Sequence, residues 1–117
     1  TVVLQNVTNV QTKDVEIYWE NNHANKVSLI DWGPLEPATA KNVTIYIQNI
    51  GNSDVVLSKN TTNWSSPTAA EQITLSWDYK GQRVSPSQTL KTTLVLTVSP
   101  SIQGITEFSF AMIVTGS

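Results

Sequence analysis

The sequence predicts an all-β domain, a sandwich of two packed antiparallel sheets built from seven or eight strands. Three observations carry this. Apolar and polar residues alternate with period two in one segment after another, no segment holds a helical stripe over three turns, and clusters of Gly, Pro and Asn interrupt the alternation roughly every 8–12 residues. Sheets with one apolar face must bury it, and two such sheets face to face are the natural solution.

Each element follows from its local pattern. Residues 1–10 read as a strand that is apolar in both registers at first, Val2 and Leu4 on one face, Val3 and Val7 on the other, with Val10 beyond. Residues 14–20 alternate Val15, Ile17 and Trp19, expected in the core, with Asp14, Glu16, Tyr18 and Glu20. The polar run Asn21-Asn22-His23-Ala24-Asn25 is a loop, and a third strand over 27–32 is stopped by Gly33-Pro34-Leu35-Glu36-Pro37. Residues 42–48 place Val43, Ile45 and Ile47 inward and Asn42, Thr44, Tyr46 and Gln48 outward; Asn49-Ile50-Gly51-Asn52 then turns the chain into a strand over 54–58. Ile73, Leu75, Trp77 and Tyr79 form the next inward face, and Lys80-Gly81-Gln82 turns towards Arg83 and Val84. The longest alternating face is Leu90, Thr92, Leu94, Leu96 and Val98. Phe108, Phe110, Met112 and Val114 line the last strand.

Composition narrows the function. A chain of 117 residues makes one domain, able to bury roughly 60–70% of its unfolded surface without a disulfide or structural metal. Charged residues are 14% of the chain, below the roughly 25% of an average soluble protein. A net charge of −2 with seven Lys and Arg argues against nucleic acid and anionic membranes as partners. No window approaches 18 apolar residues, so no membrane span is expected. Asn-X-Ser/Thr sequons stand at Asn6, Asn42, Asn60 and Asn63, a mild excess over the roughly two that ten Asn would give by chance. With no initiator Met before Thr1, the expectation is a mature, exported protein of the extracellular space or cell surface, with these sequons as its candidate glycosylation sites.

No constellation of catalytic residues is visible. His23 is the single histidine and there is no cysteine, so a zinc or copper site would rest on carboxylates that lack useful spacing. Glu16 with Glu20, or Asp31 with Glu36, fall on outward strand or loop positions where carboxylates are solvated rather than paired across a cleft. Asp54 and Asp78 lack calcium-loop spacing, and neither a phosphate loop nor a nucleophile elbow occurs. The reading is no enzyme, no cofactor and no metal. Of the tryptophans, Trp19 and Trp77 are expected in the core and Trp64 over the open edge of the sandwich. Trp32 is expected in core or loop packing; exposed, it would form a sugar-stacking platform with Tyr18 and Tyr46.

From Trp32 onward the chain resembles a known family. The residues are Gly33-Pro34-Leu35-Glu36-Pro37, Ile47-Gln48-Asn49-Ile50-Gly51-Asn52, Leu57, Trp64, Trp77-Asp78-Tyr79, Pro86 and Ser99-Pro100-Ser101-Ile102-Gln103-Gly104-Ile105. Together they resemble the immunoglobulin-like domains of archaeal secreted and cell-surface proteins, related in style to CARDB and carbohydrate-enzyme-associated modules. Pro37-Ala38 and Pro86-Ser87 stand where that pattern has Pro-Gly. The resemblance implies an immunoglobulin-like sandwich with a structural or adhesive role and transfers no catalytic residue. In size, terminal strand and sequons the chain also resembles subunits of archaeal thread-like and bundling pili, small glycosylated sandwiches joined by donor strands.

Two readings of the first strand stand open. Residues 1–10 either complete their own sandwich or leave the body formed by 11–117 and add to the sheet of a neighbouring copy. In the second case Val2, Val3, Leu4, Val7 and Val10 are interface residues. A glycan on Asn6 would project outward and leave Val3 and Val7 as the inserted face. The function expected is a subunit of an extracellular archaeal filament, a homopolymer coated with glycans. The alternative is an immunoglobulin-like binding or adhesion module of an S-layer-associated or other surface protein.

Overall fold

The computed structural model describes residues 5–65, 67–102 and 107–117, Thr68 without its side chain. In them the alternation resolves into two four-stranded sheets. One holds β1 (Gln5–Lys13), β3 (Leu29–Ile30), β5 (Leu57–Thr62) and β8 (Glu107–Gly116), in the order β3-β1-β8-β5. The other holds β2 (Val15–Tyr18), β4 (Ala40–Asn49), β6 (Ile73–Trp77) and β7 (Thr89–Val98), in the order β2-β4-β7-β6. The all-β sandwich is therefore the observed fold, and it is compatible with an immunoglobulin-like arrangement.

The core lies where the period-two faces meet. Ile45 and Ile47 of β4, Leu94, Leu96 and Val98 of β7, and Phe108, Phe110, Met112 and Val114 of β8 are all buried. Ile73 and Leu75 join them from β6, with Trp77 packed partly buried beside them.

Connectivity departs from expectation in one respect. β1 pairs with β8 in parallel, so the sheet that holds them is mixed rather than antiparallel. The cause is the path of the chain. From β1 to β6 successive strands alternate between the sheets, and among sequence neighbours β6 and β7 alone pair directly. Hairpins force antiparallel neighbours, whereas arches between sheets leave direction free.

Four local expectations also need correction. Trp19 is 36% exposed rather than core. β2 ends at Tyr18, and the Trp19 N–H turns to donate to the Asn25 carbonyl at 2.9 Å, which breaks the alternation. Tyr18 is buried instead of outward, under the His23 ring, whose centroid lies 4.7 Å away. The same ring is fixed on its other side, with Nε2 2.7 Å from Thr89 Oγ1. The strand expected over 54–58 is β5 at Leu57–Thr62, while Val55 makes only an isolated bridge to Val84. Finally, α1 (Pro67–Gln72) links β5 to β6. Six residues are too few to print a helical stripe, though Pro67 at the first helical position is a favourable start.

Candidate functional site: the seat of the first strand

β1 lies inside a sheet, not on its rim. It pairs with β8 over nine positions, from Gln5↔Glu107 to Lys13↔Thr115. On its other side it meets β3 at Thr8↔Ile30 and Asn9↔Leu29, and the Val10 N–H donates to the Ser28 carbonyl at 3.0 Å. Val2, Val3 and Leu4 lie outside the described residues.

The inward face of β1 is polar where it was expected to be apolar. Thr8 is fully buried and Asn6 is 7% exposed, while Val7 is 36% exposed on the outer face. Val10 is half-buried against the core, on the same side as Asn6 and Thr8. A polar face survives burial only if each group is paired, and these are. Asn6 Nδ2 donates to the Gly33 carbonyl at 2.8 Å, and Asn6 Oδ1 accepts from the Trp32 N–H at 3.3 Å. The Trp32 indole Nε1–H donates to Thr8 Oγ1 at 2.8 Å. Trp32, itself buried, therefore reads both residues. The turn that presents it is held by the Asp31 carboxylate, which accepts from the Gly33 N–H at 2.9 Å, and by the left-handed backbone of Gly33 (φ 75°).

In the seated strand the inward residues are Asn6, Thr8 and Val10, while Val7 faces outward. Asn6 is enclosed in the seat at 7% exposure, with Nδ2, the atom a glycan would join, donating to the Gly33 carbonyl. The signal for Thr8 lay in its period-two relation to Asn6 and Val10, but the Asn-X-Thr spacing reads first as a sequon. For Trp32 the sequence held no signal of a hydrogen-bonding role.

A single residue joins the strand to the rest. Asp14 lies between β1 in one sheet and β2 in the other, with φ 64°, the left-handed region that costs a non-glycine residue energy.

The remaining sequons face solvent: Asn42 on β4, Asn60 on β5, and Asn63 just beyond it with φ 56°. Trp64 stacks on Phe110 with centroids 4.2 Å apart and covers the open side of the sandwich, as expected. Beside it a groove of about 330 Å³ runs between β5 and β6, lined by Lys59, Asn60, Trp64, Ile73 and Leu75. Lys59 reaches across this side, its Nζ 5.5 Å from the Trp77 ring. The aromatic platform imagined for Trp32, Tyr18 and Tyr46 does not form, because Trp32 and Tyr18 are buried.

Among the described residues no three His, Asp or Glu side chains gather into a metal-binding group, and no helix is long and apolar enough to cross a membrane. Compared with known proteins, the chain matches no family model and no curated sequence.

Proposed function

We propose that this protein is the structural subunit of an extracellular filament, an archaeal pilus-like polymer in which β1 of each copy occupies the seat between β3 and β8 of the next. The observation that carries the reading is the way β1 is held. It fills a nine-residue slot in the sheet, yet the covalent link between it and β2 is Asp14 alone, in a strained conformation. Opening that hinge and docking β1 into a second copy replaces every hydrogen bond of the seat by an identical one, so exchange costs little in contacts. It also relieves the left-handed φ. Because donor and acceptor surfaces differ, the contact is heterologous and propagates as a fibre. An emptied slot would leave the long edge of β8 unpaired, a standing demand for a strand. Outward Asn42, Asn60 and Asn63 suit a glycan coat.

A chain without cysteine offers a direct test. Val7 and Ser109 are register partners on neighbouring strands, and Cα atoms so paired fall within disulfide range. In the Val7→Cys, Ser109→Cys double variant, oxidised filaments run under non-reducing conditions as a ladder of covalent multimers. Monomers closed on themselves, with no fibres by negative-stain electron microscopy, would sink the proposal.

A further inference from the structure

A strand held by apolar pockets is tolerant of slippage, since one branched residue fills such a pocket much as another does. The slot between β3 and β8 is different. At its centre it offers a buried indole N–H, a peptide N–H and a peptide carbonyl, all from Trp32 and Gly33. An asparagine amide satisfies the peptide pair because it donates and accepts at once. Aspartate cannot donate to Gly33, and glutamine is one methylene too long. A hydroxyl two residues later satisfies the indole; valine cannot.

We infer that Asn6-Val7-Thr8 is a docking signature, read by Trp32 and Gly33, that selects β1 of a second copy and sets its register in the slot. The inference rests on the strand-exchange reading for its partner, since in a lone chain the same contacts set register alone. Slipping β1 by two residues in one direction brings Val10 to the indole, and in the other brings Leu4 to the peptide groups. Either way a buried donor or acceptor is orphaned, which is the costly case for a hydrogen bond. A slip by one turns Val7 inward and exposes the wrong face. The same three residues recur at 42–44, but β4 carries Asn42 on its exposed surface in a strand already paired with β7. Position, not composition alone, makes the signature.

The test compares two disulfides in the full-length chain: Val7→Cys with Ser109→Cys, which reports the observed register, and Val7→Cys with Glu107→Cys, which reports a two-residue slip. With Thr8 intact the first bond dominates. Thr8→Val, nearly the same shape without the acceptor, lowers the ratio of first to second by about tenfold, and Thr8→Ser restores it. Should Thr8→Val prevent folding while Thr8→Ser folds, the acceptor is again what the slot requires. An unchanged ratio in Thr8→Val, or failure of both variants to fold, overturns the signature. Whether the bonds lie within or between chains is read separately, from multimer size. Bonds confined to single chains, with the ratio still responding, would remove the filament partner and leave a device for intrachain register.

Discussion

Asn6 and Val7 show how far single residues can be read. Hydrophobicity alone turns Val7 inward, yet the buried neighbour is Asn6, because Trp32 and Gly33 supply partners that an alternation pattern does not display. The apolar positions of β4, β7 and β8 needed no such help, since Ile, Leu and Phe gain from burial against any apolar neighbour. Gly116 is a residue of the opposite kind, silent in the sequence and tightly constrained in the fold. A Cβ there would meet Val15 Cγ1 at 2.9 Å and Val55 Cγ2 at 3.1 Å, both on stiff β-branched side chains. Gly116→Ala is expected to lower stability by about 1–3 kcal/mol, seen as an earlier urea midpoint with an unchanged slope.

Among the elements, the long strands were legible and the connections were not. β4, β7 and β8 each repeat their alternation over enough residues to declare a face, whereas β2 is four residues long and its pattern runs on into a turn at Trp19. The parallel pairing of β1 with β8 joins opposite ends of the chain, and no local pattern records such a neighbour. For the same reason the candidate site was half visible. The first strand announced itself; its slot, made of residues from 28 to 33 and 107 to 115, did not. The hinge between β1 and β2 makes a prediction at this scale. Proline cannot adopt the φ of 64° seen at Asp14, so Asp14→Pro disfavours the folded-back strand and is expected to raise the polymer fraction. Asp14→Gly accepts that φ without strain and shifts the balance towards monomer, by up to about fivefold for a relief of about 1 kcal/mol. Sedimentation at matched concentration distinguishes them; equal distributions for both variants would show that the hinge has no part in assembly.

At the scale of the molecule the described residues form an elongated body, 48 × 24 × 21 Å, with the sequon asparagines distributed unevenly. Asn42, Asn60 and Asn63 stand on the outside and Asn6 lies within the seat. Glycopeptide mass spectrometry of native material is expected to find glycan among the outer three and an unmodified Asn6 in assembled chains. A filament uniformly glycosylated at Asn6 would require a different seat for β1. The buried amide has one more consequence, and it concerns time. With its amide buried, Asn6 would meet a transferase only while β1 is loose, so under the proposed assembly the sequon would be a stopwatch that starts when the chain emerges and stops when the strand docks. In the filament proposed above, chains that lost this race would carry a bulky sugar on their first strand and could not donate it, although their own slot would still receive. Each such chain would cap the growing line, and the fraction of them would set the average length of the fibre.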